Sequence, residues 1–161
     1  MRVAENQAAD VRILLDKQAI TEMLHRYCYA MDANDRQLGY EVWHADGTAH
    51  YEGMFDGLGR DFVDFGQSGH EAAFGRTSHQ LTNILIDVAG DQATSRSCVT
   101  AAALIANSES IYVIRGRYHD QWSRRDGVWR IDSRRFTTDT WQVLPTNHEL
   151  LQIQDSPAAG G

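Results

Sequence analysis

The chain has 161 residues, 42% of them apolar and 23% charged, with a formal net charge of −7. That length suits one domain, and the apolar share excludes a disordered chain. The acidic balance and the lack of a Lys/Arg cluster argue against nucleic acid as a partner, and no window approaches the ~18 apolar residues of a membrane span. The opening MRVAENQAAD has no apolar stretch, so no signal peptide is expected. Cys28 and Cys98 lack framework or metal-ligand spacing and read as buried thiols in a reducing cytosol.

Residues 1–9 are polar and are expected to be flexible. Val11, Leu14, Leu15, Ile20, Met23, Leu24, Tyr27 and Met31 recur at three- and four-residue steps, which predicts a helix over 10–32 with Asp10 as its N-cap. The turn formers DANDR end it, and Asp35 can cap a second short helix over 36–43. TAHYE, within 47–53, reads as a strand, and 61–73 as a third helix interrupted by Gly66 and Gly69. The period then changes. Segments 79–88, 92–106, 110–122 and 128–141 are β-branched or alternating runs, with hairpin signals at Gly90-Asp91 and Asp126-Gly127. The tail over 146–161 is expected to be flexible. Helices followed by a long antiparallel meander predict an α+β fold, one domain over 10–145, with helices covering one face of a curved sheet. No strand–GxGxxG–helix unit supports a nucleotide fold.

Small side chains in CVTAAAL, 98–104, sit mid-strand in this scheme. They either leave volume for a buried ligand or are filled by a large aromatic from a helix. Seven histidines invite a metal, but no HExxH, HxH or Cys/His cluster occurs, and His44, His50, His70, His119 and His148 are scattered over different segments. There is no GxSxG nucleophile elbow. Neither a metal nor a cofactor is expected.

Asp32 follows the apolar stripe at the end of the first helix, facing the negative end of its dipole. It reads either as a solvated turn residue or as a carboxylate whose pKa is pushed upward for proton handling. His79 opens the first long strand, and alternation places it with Leu81, Asn83 and Leu85, opposite Ile84, Ile86 and Val88. A carboxylate behind it turns such a ring into a general base. Tyr27 lies on the buried stripe, as a core aromatic or an acid group. Arg134, on the last strand, needs an anion if it points inward.

The segments LLDKQAITEMLHRYCYAMDANDR, HYEG, TSHQLTNILIDVAGDQATSRS and GRYHDQWSRRDGVWRIDSRRF together resemble the SnoaL-like branch of the nuclear transport factor 2-like superfamily, over about 14–141. That branch includes scytalone dehydratase, the hexachlorocyclohexane dehydrochlorinase and bile acid 7α-dehydratase. The resemblance implies a cone-shaped sheet around N-terminal helices. It also implies a dyad of Asp32 and His79, with Tyr27 matching a pocket tyrosine and Arg134 a substrate-side arginine. Three positions depart from the relatives: Ala101 stands where one has an acid, Met31 where another has tyrosine, and SRSCVTAAAL has no second histidine.

The expectation is a cofactor-independent lyase. His79 takes a proton from carbon, Asp32 orients it, and Tyr27 assists departure of a leaving group such as water. Arg134, Tyr51, Asn83 and Trp43 are expected to contact a hydrophobic cyclic or aromatic substrate. The alternatives are an isomerase or polyketide-type cyclase using the same base, or a non-catalytic ligand binder or structural subunit such as a dioxygenase β subunit. Apolar residues on both faces of 80–88 suit a sheet covered on both sides, so a homo-oligomer is expected, a trimer before a dimer.

Overall fold

The first helix buries Ile20, Leu24, Tyr27 and Met31, one residue per turn along a single stripe, with Met23 and Ala30 beside it. In the computed structural model, which describes the backbone of residues 2–146 and the side chains of 7–146, this helix, α1, runs over Arg2–Ala33. Asp10 therefore lies inside α1 and does not cap it, because helical backbone continues on its N-terminal side. The expected tail lies outside the described residues from 147 on, as does His148. Asn34 ends the helix in the left-handed region at φ +53°, a conformation a short polar side chain tolerates. The Asp35 N–H then returns to the Ala30 carbonyl at 2.9 Å. Its carboxylate caps α2 (Arg36–Glu41) by accepting the Leu38 N–H at 3.0 Å.

Strand β1 (Trp43–Tyr51) opens earlier than TAHYE predicts and pairs with a short strand the sequence did not reveal, β2 (Phe55–Leu58). Next come α3 (Gly59–Ala73) and four long strands: β3 (Phe74–Ala89), β4 (Gln92–Ile105), β5 (Ser110–Arg125) and β6 (Val128–Pro145). They form one six-stranded sheet in the order β2-β1-β6-β5-β4-β3, antiparallel except where β1 runs parallel to β6. The β5–β6 turn places Asp126 and Gly127 at φ +53° and +79°, the signature of a two-residue hairpin with primed geometry. Register shifts in β3, β5 and β6 bend the strands, and the sheet curls around the helices without closing.

One shift corrects the expected faces of β3. Asn83 adopts φ +53° between the paired residues Thr82 and Leu85. The alternation therefore slips by one. Leu81, Ile84 and Val88 pack against the core beside buried Ile86, while Leu85 is 59% exposed.

Arg124 anchors the middle of α1 to the sheet. It bonds Asp16 at 2.6 Å and Asp91 at 2.5 Å, lies over the Trp129 ring, and shares Asp16 with the Trp129 indole N–H. Among the described residues no helix is long and apolar enough to cross a membrane.

Candidate active site

The Asp32 side chain sits where α1 stops, beside the inner face of β3. Its Oδ1 accepts the His79 Nδ1–H at 2.6 Å and the Thr77 hydroxyl at 3.1 Å; its Oδ2 accepts the His79 backbone N–H at 2.9 Å. One carboxylate thus holds both the ring and the backbone of His79. Donation from Nδ1 leaves the lone pair on Nε2. Burial pushes the Asp32 carboxyl up, but the two bonds from His79, its charge and the Thr77 hydroxyl outweigh that and hold it below the usual carboxylate value. The upward shift expected from the helix end is therefore reversed, because these donors compensate the dipole.

His79 faces a cavity of about 340 Å³. The register explains the space: Thr77, Ser78 and His79 lie opposite Ala103, Ala102 and Ala101 of β4, so the strand next to the base carries methyl groups. Ala101 thus stands directly opposite His79. Of the two readings of the small residues, the open one holds: Val99, Ala101, Ala102 and Ala103 line the cavity, and the helical aromatic beside them, Tyr27, is part of its wall. The fully buried Trp43 and Trp122 come from β1 and β5.

Three tyrosines form a buried wall of that cavity, with the Tyr27 and Tyr51 hydroxyls 3.0 Å apart. Burial first, and then neighbouring tyrosines, push Tyr27, Tyr51 and Tyr118 well above the usual phenol value against the opposing pull of Arg134. They stay protonated and present O–H donors. The opposite wall is α3, where Phe62, Phe65, Gly66, Gly69, His70 and Ala73 follow a three–one helical rhythm. The glycines taken as interruptions are sites where the helix makes room. A Cβ at Gly69 would meet nothing within 4 Å.

Among the expected site residues, Asp32, His79, Tyr27 and Tyr51 come together at the cavity, and three do not. Trp43 is fully buried beneath it, its ring edge-on to Tyr27. Asn83 is exposed at the β3 bulge, with Cys98 Sγ its nearest polar partner at 3.9 Å. Arg134 lies behind the tyrosines. It binds both Asp120 oxygens at 2.7 and 2.8 Å and has its guanidinium carbon 4.4 Å from the Tyr27 ring and 3.9 Å from the Tyr118 ring. The inward arginine has its anion, but that anion is the protein's own. Cys28 is buried, its thiol pushed up to about 12 mainly by burial, whereas Cys98 is only half-buried.

His70, like Thr77 and Tyr118, is a cavity residue that sequence reasoning did not assign to the site. Its signal was its place on the α3 face defined by Phe62 and Gly66. Among the described residues no group of three or more His, Cys, Asp and Glu could hold a metal ion.

A curved sheet wrapped around helices, with an acid–histidine pair where the first helix ends, defines a protein of the nuclear transport factor 2-like fold. A protein of that superfamily from Salmonella enterica superposes with a TM-score of 0.68 at 19% identity, over 90% of this chain and 96% of its own. Within this class the chain belongs to the SnoaL-like domain family, whose model matches residues 12–135. LinA superposes with a TM-score of 0.77 at 22% identity, covering 84% of this chain and 93% of that one. A candidate scytalone dehydratase from Novosphingobium aromaticivorans gives 0.73 at 26% identity, covering 92% and 96%. No curated protein matches the sequence.

Proposed function

We propose that the chain is a cofactor-independent lyase acting on a hydrophobic cyclic or aromatic small molecule. One observation carries the reading: His79 is bonded through Nδ1 to Asp32 at 2.6 Å and faces an apolar cavity of about 340 Å³. In this mechanism Nε2 removes a proton from carbon, and Asp32 keeps the ring in the Nδ1–H tautomer and stabilises the cation that forms. A leaving group such as water departs from the neighbouring carbon, its departure assisted by hydrogen bonding from the Tyr27–Tyr51 hydroxyl pair, and the proton taken by His79 leaves with it. General base catalysis of this kind typically supplies ~10²–10⁴-fold, and the rest comes from holding the substrate in the reacting geometry. The names of LinA-type dehydrochlorinase and candidate scytalone dehydratase relatives support elimination as the reaction class.

The tyrosine pair favours a second reading. Two protonated hydroxyls 3.0 Å apart suit an enolate oxygen as well as a leaving group, so an isomerase or cyclase can use the same base. A screen of hydroxylated ring compounds, read by the absorbance of a new double bond and by deuterium incorporation, separates the two. Loss of a fragment marks the lyase; exchange without loss marks the isomerase.

The working unit in this reading is a homo-oligomer, a trimer before a dimer, in the cytoplasm. Leu85, 59% exposed on the outer face of β3, supports a covered sheet.

A further inference from the structure

The cavity contains a histidine that the dyad does not use. His70, in the last turn of α3, has its ring centroid 5.7 Å from that of His79. Its Nδ1 lies 3.3 Å from the Met31 carbonyl. A carbonyl can only accept, so the ring donates from Nδ1 and carries its lone pair on Nε2. That Nε2 has no hydrogen-bond partner among the described residues, and the ring lines the cavity. Burial, and then the charge of His79, push the His70 pKa below the usual imidazole value, so the ring stays neutral. The ring is half-buried and its unpaired Nε2 keeps access to the cavity, so it can accept from a ligand that brings a donor.

We infer that His70 determines substrate specificity: its Nε2 accepts a hydrogen bond from a hydroxyl on the bound ring compound, and the cavity thereby selects hydroxylated rings over halogenated or unsubstituted ones. The inference deepens the lyase reading, since it concerns the same cavity and names a group the substrate carries. Two placements support it. The Met31 carbonyl precedes Asp32, so the end of α1 positions both histidines. Phe74, whose ring lies edge-on to His70 with centroids 6.0 Å apart, offers no competing donor.

The test is equilibrium binding by titration calorimetry, with 2-naphthol against 2-methylnaphthalene, which has the same shape and no donor. The wild type is expected to bind 2-naphthol about tenfold more tightly, the worth of one neutral hydrogen bond. His70→Phe is expected to bring the ratio to near one while keeping affinity for 2-methylnaphthalene, and His70→Gln, whose amide oxygen accepts, to restore part of the preference. No preference in the wild type overturns the inference. So does a preference that survives His70→Phe, or one that disappears in His79→Phe instead. Should His70→Phe fail to fold, ¹⁵N spectra of the wild-type histidines decide. An unprotonated Nε2 on His70 that shifts with 2-naphthol and not with 2-methylnaphthalene supports it; an Nε2–H tautomer overturns it. Neither measurement needs turnover, so a failed elimination assay would sink the lyase reading while leaving this result standing.

Discussion

The Asp32 carboxylate receives the His79 ring through Oδ1 and the His79 backbone N–H through Oδ2, at 2.6 and 2.9 Å. The helix that ends at the acid and the strand that begins near the base are thereby bonded at the point where chemistry would occur. Asp32→Asn preserves the shape but can reverse the ring's tautomer, and His79→Ala removes the base. Both variants are expected to lower kcat by ~10²–10⁴-fold with folded circular dichroism spectra. Turnover at the wild-type rate in either one would remove the dyad from the mechanism.

Gly69 faces the cavity with open space where a Cβ would go. A helical glycine costs about 1 kcal/mol relative to alanine. Gly69→Leu is expected to raise the melting temperature and to weaken ligand binding by filling the cavity. A variant that is both more stable and fully active would show that ligands bind elsewhere.

Arg134 and Asp120 are both fully buried and bonded to each other. Asp120→Ala leaves a buried cation unpaired, and a loss of about 3–5 kcal/mol is expected in urea unfolding. Replacing both residues with apolar ones, Arg134→Met with Asp120→Leu, is expected to recover most of that loss. A double variant as unstable as the single one would argue that the pair does more than satisfy itself.

Two groups of the site contribute to the pH dependence of stability. The folded-state pKa of Asp32 lies below its ordinary value of 3.8, so its contribution is present above that pH and is lost as pH falls through the lower folded value. The folded-state pKa of His70 lies below 6.5. The unfolded chain therefore takes up that proton first, and stability declines as pH drops below about 6.5. Asp32→Asn should flatten the acid limb and His70→Phe the limb near 6, both read from unfolding free energies across pH.

Leu85 is the largest apolar side chain that the β3 bulge turns outward, at 59% exposure. Leu85→Lys is expected to lower the sedimentation mass from oligomer toward monomer. A wild-type chain that sediments as a monomer contradicts the assembly expected here.

The α1 stripe from Ile20 to Met31, the Asp35 cap, the four long strands and the Gly90 and Asp126-Gly127 turns were legible, because each depends on the spacing of near neighbours. Val11, Leu14 and Leu15 share the period of the stripe but are exposed, since among the described residues no element covers them. Strand β2 and the parallel β1–β6 pairing were not, since FDGL is too short to show a period and parallel pairing joins residues far apart in the chain. The bulge at Asn83 defeated strict alternation: one residue with φ +53° exchanges the faces of everything after it. His70 escaped notice because its meaning depends on the Met31 carbonyl and the His79 ring, neither of which is near it in sequence.

The sequence by itself determined the fold class, because helix ends and strand periods are local properties, and the order of its motifs carried the family resemblance that implied the pairing of Asp32 with His79. Tertiary structure alone decided that Arg134 answers to Asp120 instead of a ligand, that Trp43 supports the tyrosines from beneath, and that α3 brings a second imidazole to the cavity. Each of those outcomes is a competition among partners from separate elements, and only packing shows which partner arrives.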